Sequence, residues 1–276
     1  MTLRNHDVPG VNAGVANSAT AIGTPALRVS EVRCSFGGNQ AVRGVTFDVT
    51  TGSFVGLIGP NGAGKSTLID CISGRNSAYQ GQVFALGNEI TRLPMYKVAR
   101  AGIVRNFQVA RPFKKLTVLS NLMYGPRGQV GERLERALIG GWRAQENELL
   151  ERARASMDVF GLGPEENNYG SELSGGQERL VELCRAVMSQ PRVLLLDEPF
   201  AGVSPVNRKR LADRLKALVT EDGMTILMVE HRLEWVERLC SRILVMAEGS
   251  VILDGTMQEV RSNARVIEAY LGPSPE

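Results

Sequence analysis

The chain has 276 residues, with 32 basic and 29 acidic side chains and a net charge of +3. This small surplus does not favour a nucleic-acid binder, and an apolar fraction of 43% excludes a disordered chain. No apolar run approaches the roughly 18 residues that a membrane-spanning helix needs. The four cysteines form no CxxC pair, which predicts buried free thiols in a reducing cytoplasm.

Residues 1–26 are rich in Gly, Ala, Asn and Ser and contain few large apolar side chains. A secretory signal would need a continuous apolar core after a basic start, and this segment has none. We therefore expect residues 1–26 to form a flexible tail and residues 27–272 to form one domain.

The domain is expected to begin with strands. Apolar and polar residues alternate in Leu27–Val32 and in Val42–Val49, a pattern that predicts strands buried on one face. Ser53–Ile58 is almost continuously apolar, which predicts a strand buried on both faces. A helix carrying Leu68, Ile69 and Ile72 should follow it.

The middle of the chain is predicted to be helical, roughly over residues 101–186. Between Leu116 and Gly163, charges of both signs alternate with apolar residues at helical spacing. A further helix should follow Gly175.

The last third returns to alternating strands and helices. Val193–Glu198 and Thr225–His231 are predicted to be buried strands, and Ser204 with Pro205 is predicted to start a helix. Arg242–Leu253 predicts a hairpin, and Thr256–Glu259 has the spacing of a capping box. The order predicts an α/β fold with a mostly parallel sheet.

One glycine-rich run fits the phosphate-binding pattern G-x-x-x-x-G-K-[ST] between a predicted strand and a predicted helix. Glycines let backbone N–H groups surround phosphate oxygens, the lysine contacts the outer phosphates, and the serine hydroxyl ligates Mg²⁺. The run consists of Gly59, Pro60, Asn61, Gly62, Ala63, Gly64, Lys65, Ser66 and Thr67.

Two acids complete such a site. Asp197 ends the buried run Val193–Asp197 and is placed to hold the Mg²⁺ shell. Glu198, one residue on, faces the other way and suits a general base that polarises the attacking water. Together with the phosphate-binding run, this pair predicts a nucleoside triphosphatase.

Further motifs resemble those of the ATP-binding cassette (ABC) family and occur in the same order as in that family. The resemblance extends from Leu27 to Gly272. The motifs are the signature Leu173-Ser-Gly-Gly-Gln177, the Q-loop Arg105-Asn-Phe-Gln108, the switch His231 and the aromatic Phe36. The resemblance implies a P-loop NTPase (RecA-like) core with an antiparallel β subdomain and a helical ABC-specific subdomain.

The resemblance also implies the roles of the site residues. Catalysis would fall to Glu198, His231, Gln108 and Lys65, and Mg²⁺ to Ser66, Gln108 and Asp197. ATP would stack its adenine on Phe36. Two cassettes would close head to tail around two ATP molecules, so that the signature residues Ser174, Gly175, Gly176 and Gln177 act on the nucleotide of the other subunit.

Within the family, a single cassette without a membrane span resembles a transport subunit. The long insert that includes Gly125–Asn147 and the ending Val266–Gly272 resemble the branched-chain amino acid importers. This implies two permease subunits, a second cassette (a copy or a related chain) and, indirectly, a periplasmic solute-binding protein. The location would be peripheral, on the cytoplasmic face of the inner membrane, and no nucleic-acid partner is expected.

Two alternatives stay open. Leu195–Val203 also resembles the ATPase of lipopolysaccharide export, and a soluble ABC ATPase without a transport role is a third possibility. The chain departs from the importer pattern at Ser204, at Arg232 and in its unmodified signature. The permease is expected to contact a groove formed by Val109, Arg111, Pro112 and Phe113.

Overall fold

The structure is a computed structural model that describes residues 25–106, 112–126 and 142–271. The strands are β1 (Leu27–Phe36), β2 (Asn39–Val49), β3 (Phe54–Ile58), β4 (Gln80–Ala85), β5 (Asn88–Glu89), β6 (Ile103–Arg105), β7 (Val193–Asp197), β8 (Thr225–Val229), β9 (Arg242–Ala247) and β10 (Ser250–Gly255). The α-helices are α1 (Lys65–Ile72), α2 (Met95–Arg100), α3 (Val118–Met123), α4 (Trp142–Phe160), α5 (Gly175–Met188), α6 (Pro205–Thr220), α7 (Leu233–Leu239), α8 (Met257–Ser262) and α9 (Ala264–Leu271).

A six-stranded sheet in the order β10-β9-β3-β8-β7-β6 forms the centre of the fold. Its strands pair in parallel from β6 to β9, and β10 pairs antiparallel with β9. The predicted parallel sheet and the predicted C-terminal hairpin are both confirmed. The strands β3 and β7 end at the same edge, which brings the phosphate-binding run next to the two acids.

This sheet separates two hydrophobic cores, and the alternation of side chains along each strand supplies both. In β7, Leu194 and Leu196 pack into the core shared with the helices α4 to α7. Val193 and Leu195 pack into the opposite core, shared with α1 and the smaller sheet. Burial on both faces explains why these strands are continuously apolar.

The smaller sheet is antiparallel, in the order β2-β1-β4-β5. Buried and exposed residues alternate along β1, as predicted for a strand with one buried face. Ala26, which we assigned to the tail, is fully buried, and its N–H donates to Val49 O at 2.8 Å. Strand β1 itself begins at Leu27, as predicted, and Ala26 extends its contact with β2 by one hydrogen bond. The rest of the predicted tail, residues 1–24, lies outside the described residues.

The predicted helical region, roughly 101–186, contains one strand of the central sheet. Ile103–Arg105 pairs in parallel with Val193–Leu195 at the sheet edge. Helices α3, α4 and α5 follow and pack against one another. Three residues are too few to show a strand period in the sequence. Most of the insert Gly125–Asn147 lies outside the described residues.

Local signals are confirmed where side chains cap helices. Ser204 caps α6 by accepting from Asn207 N, and Thr256 with Glu259 forms the predicted capping box at α8.

All four cysteines are free and buried. In the part of the chain that the structure describes, no helix combines the length and the apolar character needed to cross a membrane.

Candidate functional site

The loop between β3 and α1 has a backbone that requires glycine at two positions. Gly59 has φ 148°, and a Cβ there would lie 2.0 Å from Met246 O. Gly64 has φ 96°, and a Cβ there would lie 2.2 Å from Ala41 O. The backbones of β9 and β2 thus pack closely against the loop, and a side chain at either glycine would displace them.

Helix α1 begins directly at Lys65, with Gly64 as its N-cap and no acidic residue in its first turn. The N–H groups of a first helical turn have no partner within the helix, and the helix dipole adds partial positive charge there. This end of α1 is therefore suited to bind an anion such as phosphate. Ser66 is exposed and Thr67 half-buried in the same turn.

The buried Lys65 side chain folds back over the loop. Its Nζ donates to Gly59 O at 2.7 Å and to Pro60 O at 2.8 Å. Burial lowers the pKa of Lys65, while the nearby carboxylates of Glu198 and Asp197 raise it. Lys65 is therefore within electrostatic range of both predicted acids.

Asp197, at the end of β7, is held by the edge strand β6. Its Oδ2 accepts from Arg105 Nη2 at 2.9 Å, and its backbone N–H donates to Asn106 Oδ1 at 2.8 Å. Arg105 also forms an ion pair with Asp70 of α1. Asp197 Oδ1 is buried and has no hydrogen-bond partner. One carboxylate oxygen thus stays available at the sheet edge. No sequence pattern pointed to the ion pairs that join Arg105 to Asp70 and Asp197.

Glu198 has a left-handed backbone, with φ 49°, which turns its side chain away from that of Asp197. Its N–H donates to Val229 O at 2.9 Å, and its C=O accepts from Arg179 Nη1 at 3.1 Å. Its Oε1 lies 3.0 Å from His231 Nε2. The predicted base and the predicted switch histidine are therefore in direct contact.

The turn that carries His231 is fixed by Glu230, a buried residue that the sequence analysis did not single out. Its Oε1 accepts from the N–H groups of His231 and Arg232, both at 3.2 Å. Burial raises the pKa of Glu230. Arg232 is also the N-cap residue of α7.

Phe36 lies at the tip of the hairpin formed by β1 and β2, where it pairs with Asn39. Its side chain is 58% exposed. The same hairpin touches the phosphate-binding loop through Ala41. An exposed aromatic ring can stack on a base.

The signature residues start helix α5. Ser174 is the N-cap, and it forms a capping box with Gln177. A Cβ at Gly176 would lie 2.7 Å from Gly202 O, so the turn packs tightly against the loop after β7. Ser174 and Gly175 are exposed. The predicted signature thus presents a helix N-terminus on the surface of the chain.

A groove lies next to Arg105, the first residue of the predicted Q-loop. It has a volume of about 420 Å³, and Met95, Phe113 and Tyr124 are among its lining residues. The Phe113 ring lies 5.2 Å from the Arg185 guanidinium and 5.6 Å from the Tyr124 ring. Of the predicted groove residues, Pro112 is buried. Gln108, Val109 and Arg111 lie outside the described residues.

Two family models match parts of the chain. A model described as "ABC transporter" matches residues 42–201. A second, described as "Branched-chain amino acid ATP-binding cassette transporter", matches residues 250–272. The second match includes β10, α8 and α9.

Curated relatives match nearly the whole chain. A probable branched-chain amino acid transport ATP-binding protein LivG of Archaeoglobus fulgidus is 41% identical over 246 residues, 89% of this chain and 95% of that protein. The high-affinity branched-chain amino acid transport ATP-binding protein BraF of Pseudomonas aeruginosa is 36% identical over 250 residues, 90% of this chain and 98% of that protein.

Among solved structures, a nucleotide-free ATP-binding cassette from an ABC transporter superimposes with a TM-score of 0.75. It is 34% identical, and the match covers 91% of this chain and 100% of that one.

Proposed function

Since the chain belongs to the ABC transporter family, as one of its ATP-binding, ATP-hydrolysing subunits, we propose that it powers the import of branched-chain amino acids. The observation that carries this is the match of residues 250–272 to the branched-chain family model. The names of the relatives point to the same substrates. Those residues form β10, α8 and α9, outside the nucleotide-binding motifs that all ABC ATPases share.

We propose that Mg²⁺ accompanies the ATP, held by Ser66, Asp197 and, outside the described residues, Gln108. The fit rests on Asp197 Oδ1, the buried carboxylate oxygen without a partner. In the described residues no group of three or more His, Cys, Asp or Glu could form a closed metal cage. This suits Mg²⁺, which keeps several waters and takes one or two protein ligands together with phosphate oxygens. When bound, the ion would neutralise charge on the phosphates.

The hydrolytic step is assigned to Glu198. Its carboxylate would take a proton from the attacking water, while His231, in contact with it, holds its orientation. Lys65 and the first turn of α1 stabilise negative charge on the phosphates. Ser174, Gly175, Gly176 and Gln177 would complete the site of a second cassette, and the surface position of the α5 N-terminus supports this. Closure of the dimer then controls hydrolysis.

The proposed partners are two permease subunits, a second cassette and, through the permease, a periplasmic solute-binding protein. The chain would sit peripherally on the cytoplasmic face of the inner membrane. The groove beside the Q-loop suits the permease contact, because Met95, Phe113 and Tyr124 expose apolar surface there. The second cassette is a copy of this chain or a related chain, and identification of the co-purifying proteins in the test below distinguishes the two.

The test is gentle purification of the tagged chain from membranes, followed by identification of what comes with it. Two permeases with a second cassette, and leucine uptake into cells that is lost when the gene is deleted, are expected. Components of lipopolysaccharide export, or no membrane partner at all, would contradict the proposal.

Phe113→Asp should abolish transport while basal ATPase activity stays within about twofold of wild type. Asn121 fixes the Phe113 backbone, through hydrogen bonds to Phe113 N at 2.7 Å and Phe113 O at 3.1 Å. The backbone should therefore keep its position, while the ring is lost as an apolar surface for the permease and as a neighbour of Arg185 and Tyr124. Transfer of a charged side chain into an apolar interface is costly. The measurement is amino acid uptake alongside ATPase rate.

The control for this variant is Val159→Asp, which changes an apolar residue that is 44% exposed on α4. It should leave transport intact. Normal uptake in Phe113→Asp would place the permease contact elsewhere.

Phe36→Ala should weaken ATP binding by about 5- to 150-fold, because stacking of a base on an aromatic ring contributes about 1–3 kcal/mol. GTP should lose affinity by a similar factor, since both purines offer the same face. Calorimetric titration of both nucleotides measures the effect. The control is Tyr96→Ala, because Tyr96 is 58% exposed, as is Phe36. Equal ATP affinity in the two variants would remove Phe36 from the site.

A further inference from the structure

The edge strand β6 is fixed to the end of β7, directly beside Asp197. Arg105 and Leu195 are paired in the parallel register, and the Asn106 N–H donates to Leu195 O at 3.0 Å. The buried side chain of Asn106 binds β7 as well, with its Oδ1 accepting from the Asp197 N–H at 2.8 Å. The backbone of Asp197 is therefore held in place from the side of β6.

The carboxylate of Asp197 is held by a second contact from the same strand. Its Oδ2 accepts from Arg105 Nη2 at 2.9 Å, and the side chains of Arg105 and Asp197 are only 4% and 1% exposed. Such a charge-assisted hydrogen bond is strong, and burial protects it from screening by salt. The terminal torsion of an aspartate is broad, so a bond to one oxygen also fixes the other. Oδ1 is thereby held in one place, without a partner of its own among the described residues.

Arg105 is itself held from the opposite side by helix α1, which follows the phosphate-binding loop. Its Nη1 forms an ion pair with Asp70 and donates to Ser73 Oγ at 3.4 Å. The two nitrogens of the planar guanidinium thus join α1 to β7, a geometry that a compact ammonium does not reproduce. Since Ser66 lies in the first turn of α1 and Asp197 ends β7, Arg105 connects the two elements that carry the described ligands proposed for Mg²⁺.

Stability alone does not explain these buried charges. A buried ion pair contributes little net stability, because the loss of hydration offsets the attraction between the charges. Arg105 Nε is also buried, without a hydrogen-bond partner in the part of the chain that the structure describes, and such a donor is costly. The arrangement therefore costs stability, while it fixes the position of one carboxylate oxygen.

We propose that Arg105 is a positioning residue for Mg²⁺, which holds Asp197 Oδ2 so that Oδ1 is presented to the ion that accompanies ATP. The proposal rests on the proposed role of Asp197 as a ligand of that ion. Partners that orient a metal ligand bond one of its atoms and leave another for the metal. Arg105 also lies three residues before Gln108, the other residue proposed to hold Mg²⁺, so β6 and its continuation in the sequence serve the same ion.

Arg105→Gln should weaken the binding of a non-hydrolysable ATP analogue only when Mg²⁺ is present. The Kd with Mg²⁺ should rise by about 10-fold, the lower end of the cost of losing a partner that orients a metal ligand, because the ion keeps its phosphate oxygens and waters. The Kd in EDTA should stay close to that of the wild type. Calorimetric titration of the full chain under both conditions measures the two Kd values, and thermal unfolding measures the Tm.

Arg105→Lys keeps a positive charge between the two carboxylates, so it should fold and decides the question if Arg105→Gln does not fold. We expect it to raise the Kd with Mg²⁺ as well, because one ammonium cannot reproduce the planar bridge. The matched control is Arg242→Gln, which removes an arginine of β9 that pairs with Asp254 at 2.6 Å. Arg242 lies beside Val55, near the start of β3, whereas the phosphate-binding loop follows the end of β3. The control should leave the ratio of the two Kd values unchanged.

Asp197→Asn distinguishes this proposal from the proposed function. In that variant the effect of Mg²⁺ on the Kd should be lost, and adding Arg105→Gln should cause no further loss, since both changes act through one carboxylate. An unchanged ratio of Kd values in the folded Arg105 variants would overturn the positioning role, as would equal weakening with Mg²⁺ and in EDTA. A wild-type chain that binds the analogue equally with and without Mg²⁺, or an effect of Mg²⁺ that persists in Asp197→Asn, would contradict the proposed metal site itself, and the role of Arg105 with it.

Discussion

Replacing Glu198 by Gln is expected to lower the kcat of ATP hydrolysis by about 10²–10⁴-fold, the usual contribution of a general base. ATP binding should stay close to wild type, because the amide has the size of the carboxylate. The amide oxygen can also accept from His231, whose Nε2 lies 3.0 Å from Glu198 Oε1. The loss should therefore appear in kcat alone, since what disappears is the ability to accept a proton from water.

The control for Glu198→Gln is Glu234→Gln, which neutralises an exposed carboxylate in the first turn of α7, close to His231 along the chain. It should hydrolyse ATP at the wild-type rate. Single-turnover hydrolysis with saturating ATP distinguishes the chemical step from nucleotide exchange. Turnover near wild type in Glu198→Gln would assign the base to another residue.

Lys65→Ala should reduce kcat by about 10²–10³-fold, by analogy with the removal of one preorganised donor from a charge-stabilising site, and should also weaken ATP binding. Two effects combine in this variant. The phosphates lose a nearby positive charge, and the carbonyls of Gly59 and Pro60 lose the donor that now satisfies them. ATPase kinetics and nucleotide titration measure both.

Lys65→Arg is the informative companion, because it keeps the charge and changes the shape. We expect it to remain strongly impaired, since a planar guanidinium does not fit where a compact ammonium lies between two carbonyls. Lys97→Ala, an exposed lysine of α2, is the control and should be fully active. Wild-type activity in Lys65→Ala would contradict the assigned role.

The sequence predicted those parts of the site that are written in short, contiguous patterns. The run Gly59–Thr67, the acids at the end of β7 and the helix caps at Ser204 and Thr256 each depend on neighbouring residues. The run lies between β3 and α1, and both caps are present. The order of strands and helices was sufficient to predict the parallel sheet. Local patterns of this kind are the most dependable part of a sequence.

What the sequence did not predict depends on contacts between distant parts of the chain. Arg105 meets Asp197 across 92 positions, and no periodicity marks either residue as a partner of the other. Strand β6 was missed for a different reason. It has three residues, too few to show an alternation of apolar and polar side chains, and the residues that follow it are predicted to be helical.

The position of Lys65 has a consequence for the entropy of binding. An ammonium has three N–H donors, and two of them are already fixed on the carbonyls of Gly59 and Pro60. A free lysine side chain holds about 2 kcal/mol of rotamer entropy. Here that freedom is lost when the protein folds and not when the nucleotide arrives. The remaining donor can therefore meet a phosphate oxygen without a further loss of side-chain disorder.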